Sequence, residues 1–72
     1  MDSFGERLRK ERQRLEMSQA DVADKIGVAQ PVYCKYETGA IAPNINIVVR
    51  LADLFGVSVD YLCGKDGGEN DG

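Results

Sequence analysis

The side chains of this 72-residue chain that could do chemistry are few, and they exclude more than they offer. There is no histidine, so the commonest general base is absent. Cys34 adjoins Lys35 but has no base in the sequence to activate it, and it reads as a structural thiol. Cys34 and Cys63, with no second pair and no histidine, do not make a metal site. No glycine-rich phosphate loop and no recognisable carboxylate pair is present. The chain reads as a non-enzyme with no cofactor, no metal and no evident small-molecule ligand. What remains is the chemistry of recognition. Ser18 caps a helix, with Asp21 where the reciprocal capping partner belongs. Gln19 then falls in the first turn, where free backbone N–H groups and the helix dipole favour an anion such as a phosphate. By position alone Gln19 would be no more than an exposed helix residue. On the next helix, if Tyr33 and Tyr36 face inward, Gln30, Pro31, Cys34, Lys35 and Thr38 face solvent or a partner.

The elements that must position these residues lie between Gln19 and Gly39. Val22 and Ile26, four apart, share a face of one helix, and Gly27 supplies the left-handed residue that stops it. Small Ala23 lets a second helix approach, and Val28 sits in the turn. Ala29 or Gln30 opens the second helix, with Pro31 in its first turn, where a missing N–H costs nothing. Gly39 ends it. The full set over about twenty residues spells a helix-turn-helix.

The rest of the chain supplies support. Ser3 and Glu6 form a capping box for helix one, expected over Phe4 to Glu16, with Phe4, Leu8 and Leu15 on its apolar stripe. Its dense mixed charge reads as a solvated face. Residues 40–43 form an uncharged loop. Asn44 caps helix four, which runs to Phe55 with Ile45, Val48, Ala52 and Phe55 as core stripe and Leu51 alongside. Ile47 and Val49 fall off that stripe and, with Ile41, are expected to form a small exposed apolar patch. Ser58 caps a short last helix carrying Val59, Tyr61 and Leu62, and Gly64 ends it. The expected organisation is one domain over 1–64 and a disordered acidic tail, or a truncated linker, over 65–72.

Composition fits a small soluble fold, with 43% hydrophobic and 29% charged residues. No apolar run approaches the roughly 18 residues of a membrane span, no signal-peptide core opens the chain, and reduced thiols fit a cytoplasmic protein. The formal charge of −3 argues against nucleic acid as partner. Distribution softens that, because Asp66, Glu69 and Asp71 lie in the tail while Arg7, Arg9, Lys10, Arg12 and Arg14 lie in helix one.

Taken together, FGERLRKERQRLEMSQADVADKIGV, YETG and LADLFGVSVDYLCG resemble the Cro and phage-repressor type of helix-turn-helix domain over Phe4 to Gly64. The resemblance implies an all-α, five-helix, lambda-repressor-like fold that binds double-stranded DNA. Helix two would cross the backbone and helix three enter the major groove. Carried over, Gln19 places its amide on a phosphate, Gln30 reads an adenine edge, Lys35 reaches a guanine edge or a phosphate, and Ala29 touches a thymine methyl. The implied DNA-binding set is Ser18, Gln19, Ala29, Gln30, Pro31, Lys35 and Thr38, with Arg12 and Glu37 as a structural ion pair. Three positions depart from the family pattern. Pro31 leaves only van der Waals contact where relatives often donate a hydrogen bond, Tyr33 replaces a smaller aliphatic residue, and the loop over 40–42 lacks the usual cations. Fewer phosphate contacts mean weaker, less salt-dependent binding, which points to a homodimer on a palindromic operator, with helix five, Ile41, Ile47 and Val49 as candidate dimer surfaces. The alternative is a protein-interaction module, such as an antitoxin or accessory domain, on the same fold with weak or no DNA binding.

Overall fold

The computed structural model describes residues 3–64, and the expected acidic tail over 65–72 lies outside the described residues. The described residues form α1 (Phe4–Arg14), α2 (Gln19–Ile26), α3 (Gln30–Thr38), α4 (Ile45–Phe55) and α5 (Val59–Cys63), with no strand among them. Each start has a chemical cause. Ser3–Glu6 and Ser18–Asp21 are complete capping boxes, and Asn44 and Ser58 accept from the backbone N–H of Ile47 and Tyr61. α3 has no side-chain cap and relies on Pro31 in its first turn.

α1 ends at Arg14, two residues earlier than expected. Glu16 takes a left-handed φ of 57°, and the N–H groups of Glu16 and Met17 bond back to the carbonyls of Gln13 and Arg12. This is the Schellman closure, which stops the helix and turns Met17 toward the core. Leu15, expected on the apolar stripe, caps this end and is exposed. Gly27 makes the corresponding stop after α2 at φ 80°.

The helices close around Leu8, Val22, Ala23, Ile26, Tyr33, Tyr36, Leu51, Ala52, Phe55 and Leu62. Tyr33 and Tyr36 meet edge to face, with ring centroids 6.3 Å apart. Gly5 lets α1 lie directly on the end of α3. A Cβ there would stand 2.1 Å from the Glu37 carbonyl oxygen. Two arginines tie helix ends to neighbouring helices: Arg14 Nη2 donates to Phe55 O at 2.8 Å and Arg50 Nη1 to Ile26 O at 3.0 Å.

Further expectations need correction. Ile45, placed on the core stripe, is 63% exposed, whereas Ile47, placed off it, packs against the core. Ile45 is the first residue of α4, and helical side chains lean toward the N-terminus, so it overhangs the end of the helix. Ile47 shares a flank with Arg50, three residues on, and that flank faces α2 through the Arg50–Ile26 bond. The charged side of α1 is not wholly solvated either. Glu11 is buried and accepts from Arg14 Nε at 2.7 Å and from Tyr61 Oη at 3.2 Å.

Candidate nucleic-acid interface

Two helix N-termini and one buried carboxylate define the site. At the start of α2, Ser18 Oγ accepts from Asp21 N–H, and Asp21 accepts from Ser18 N–H. The Ser18 N–H bond is the chief reason the Asp21 carboxyl lies below its ordinary range. The Ser18 hydroxyl therefore already serves as the cap.

Gln19 is half-buried, and its Nε2 donates to Glu37 Oε1 at 3.0 Å. One N–H of the amide is thus fixed on the protein, which orients the group and leaves its second N–H for another acceptor. Arg12 Nε reaches Glu37 Oε2 at 2.6 Å, and its Nη2 reaches Oε1 at 3.2 Å, a bidentate pair. Tyr33 Oη donates to Oε2 at 2.6 Å. Arg9 Nε lies 3.8 Å from Oε1. The Glu37 side chain has no exposed surface.

Burial works against the charge on Glu37. The hydrogen bonds from Arg12, Tyr33 and Gln19 outweigh it and hold the carboxyl below its ordinary range. The Arg12 guanidinium is pushed up mainly by its bond to Glu37, and the Tyr33 hydroxyl by burial and then by the same carboxylate. A buried tyrosine hydroxyl needs a partner. Tyr33 and Glu37 are four apart on one helix, which is the signal that names it. The convergence of Gln19 and Arg9 on the same carboxylate has no counterpart in sequence spacing.

The leading edge of α3 is open. Ala29, Gln30 and Pro31 are all exposed. Lys35 is exposed one turn further on, with Cys34 half-buried beside it. Among the described residues, the Gln30 amide and the Lys35 ammonium are held in no side-chain hydrogen bond or ion pair. Thr38 differs. Its Oγ1 donates to Lys35 O at 3.2 Å and accepts from Ala40 N–H at 3.4 Å, so the hydroxyl closes the end of α3. The implied DNA-binding set thus separates into an open group on α3, an oriented amide at Gln19, and two hydroxyls engaged locally. This arrangement can accept an anion beside Gln19 and present polar reach at Gln30 and Lys35. Among the described residues no cluster of histidine, cysteine or acidic side chains could hold a metal ion.

A helix-turn-helix family model matches residues 8–62. The chain is 40% identical over 60 residues to the cryptic phage CTXphi transcriptional repressor RstR of Vibrio cholerae serotype O1, covering 83% of this chain and 54% of the repressor. It is 41% identical over 59 residues to YonR, a prophage-derived HTH-type transcriptional regulator of Bacillus subtilis, covering 82% and 55%. The chain thus spans about half the length of the curated relatives it matches. In three dimensions it is similar to the P22 c2 repressor in complex with a synthetic operator. That match has a TM-score of 0.86 at 29% identity, over 92% of this chain and 100% of the other. The N-terminal DNA-binding domain of SinR from Bacillus subtilis shares the fold with a TM-score of 0.80, at 24% identity over 90% and 96%. Matched from within α1 to within α5 and by relatives at about 40% identity, the chain belongs to the helix-turn-helix family, as a domain of the Cro and phage-repressor type, a family of transcriptional regulators rather than enzymes.

Proposed function

We propose that this protein is a cytoplasmic, sequence-specific transcriptional repressor that reads double-stranded DNA in the major groove with residues 30–37 of α3. The observation that carries this reading is the leading edge of α3. Gln30 is exposed with its amide unengaged, on a helix held by the turn and by the Glu37 anchor, within a fold similar to that of the P22 c2 repressor in complex with a synthetic operator. An amide so placed bonds an adenine bidentately, with about 1–3 kcal/mol of discrimination. Ala29 and Pro31 flank it with apolar contact, Gln19 engages a backbone phosphate, and Lys35 a phosphate or a guanine edge. Ser18 and Thr38 contribute by holding the ends of α2 and α3 in place.

The active form in this reading is a homodimer on a palindromic operator. One domain of this size offers too few contacts for operator affinity, and two-fold symmetry doubles them. The candidate dimer surface is α5 together with Ile41, Ile45 and Val49, the last three all exposed. Ile47, which packs on the core, leaves the set. The competing reading, a protein-interaction module with little grip on DNA, is favoured by the formal charge of −3 and by the uncharged loop over 40–43. Selection from randomised duplex DNA at two salt concentrations separates the two. Enrichment of a palindromic site whose binding weakens with salt is expected. No enrichment at low salt would overturn the DNA reading and direct the search to a protein partner.

A further inference from the structure

We infer that Arg9 is a DNA-phosphate ligand, acting with Gln19 as a two-residue clamp on one backbone phosphate. The inference rests on the DNA-binding reading and adds a residue to it. Glu37 supplies the geometry. A carboxylate has about four acceptor positions. Here they are filled by Arg12 Nε and Tyr33 Oη on Oε2, and by Arg12 Nη2 and Gln19 Nε2 on Oε1. Arg9 Nε, at 3.8 Å from Oε1, is beyond hydrogen-bonding distance of a carboxylate that has no acceptor position left. One anion therefore faces two guanidiniums, and the surplus charge resides on Arg9, whose side chain is 50% exposed.

The position of that surplus matters. Arg9 Nε and Gln19 Nε2 approach the same oxygen, at 3.8 and 3.0 Å, so they stand no more than about 7 Å apart. A phosphate accepting hydrogen bonds of about 2.9 Å on two of its oxygens bridges such a gap. The Gln19 amide keeps one N–H for it, and Arg9 keeps the planar fork suited to phosphate. Arg7 provides the contrast. Two residues along α1, it points to another side of the helix, with its guanidinium 5.9 Å from the Tyr61 ring centroid on α5.

The test compares Arg9→Gln with Arg7→Gln in the full chain, each removing one positive charge. Binding is titrated by fluorescence anisotropy against the selected duplex and a scrambled duplex, from 50 to 200 mM salt. For Arg9→Gln the expected result is weaker binding to both duplexes by a similar factor, and a salt slope shallower by about one. Its deficit then shrinks about threefold across that salt range. Arg7→Gln is expected to keep the wild-type slope, and thermal melts of both variants should stay close to wild type. Wild-type affinity and slope in Arg9→Gln would overturn the role of Arg9 while leaving the DNA reading intact. Equal losses in both variants would reduce the effect to net charge and overturn it too. A wild-type protein that binds neither duplex overturns both readings.

Discussion

Two single residues carry much of the α1–α3 junction. Gly5 is there because nothing larger fits: the Cβ of an alanine would meet the Glu37 carbonyl oxygen at 2.1 Å, and backbone cannot swing aside as a flexible side chain would. Gly5→Ala gains helix propensity of just under ~1 kcal/mol yet forces the helices apart, and such overpacking costs typically ~1–3 kcal/mol or more. A clearly lower Tm is expected, and an unchanged or raised Tm would show that α1 can slide freely on α3. Glu37 is the second residue. Replacing it by Gln strands Arg12, whose side chain is only 14% exposed, and breaking a buried pair from one side costs ~3–5 kcal/mol. The pH dependence follows from the direction of the shift. The carboxyl lies lower in the folded chain than its ordinary 4.5, so its contribution is complete above that value and is lost as pH falls through the folded value. Urea denaturation of wild type and Glu37→Gln should show a large stability gap at pH 7 that narrows well below pH ~4. A gap independent of pH would mean that the charge on Glu37 contributes nothing.

At the scale of elements, most of the fold could be read because helix starts and stops are local. Ser3, Ser18, Asn44 and Ser58 cap where expected, and the stops after α2, α3, α4 and α5 fall on glycines. The stop after α1 was not legible, because its left-handed position is occupied by Glu16, a residue with no preference for that conformation. The phase of α4 is not legible for another reason. Which of Ile45 and Ile47 is covered depends on where α2 lies, and periodicity within α4 carries no such information. In the site, the Arg12–Glu37 spacing came through the family resemblance, whereas the Tyr33 and Gln19 bonds to Glu37 depend on how three helices meet. Glu16 yields a prediction at this scale. An L-residue in the left-handed region costs ~1–2 kcal/mol, and glycine there gives back part of that gain as chain entropy. Glu16→Gly is expected to stabilise by ~0.5–1 kcal/mol, raising Tm by several degrees in a domain of this size. A lower Tm in differential scanning calorimetry would show that the Glu16 side chain contributes more than its backbone conformation costs.

At the scale of the whole molecule, where an acidic chain uses its cations bears on the polyanionic partner proposed for it. Arg14 and Arg50 close helix ends, Arg12 is consumed by Glu37, and Arg7 packs near Tyr61. Few cations remain for the phosphates of the proposed DNA partner, so in that reading affinity rests on pairing two domains. The exposed apolar side chains offer a surface for the pairing proposed. Ile45 and Val49 are four apart on α4 and share a face, Ile41 lies in the loop leading to it, and an apolar groove lined by Phe4, Ala42, Pro43, Val48 and Cys63 lies in the same region. Ile45→Asp tests this cleanly. Ile45 is 63% exposed, so little packing is lost, and an acidic residue in the first turn of α4 favours the helix dipole. The fold should therefore melt near the wild-type temperature. If two copies meet through this face, a desolvated carboxylate there opposes pairing. Affinity for the full palindrome should then fall by more than about tenfold, a loss of ~1.4 kcal/mol, while binding to an isolated half-site stays at the wild-type level. Sedimentation of the complex should report one copy per duplex where the wild type gives two. If palindrome binding and stoichiometry were unchanged, the α4 face would be excluded as the dimer contact, and pairing would have to proceed through α5 alone.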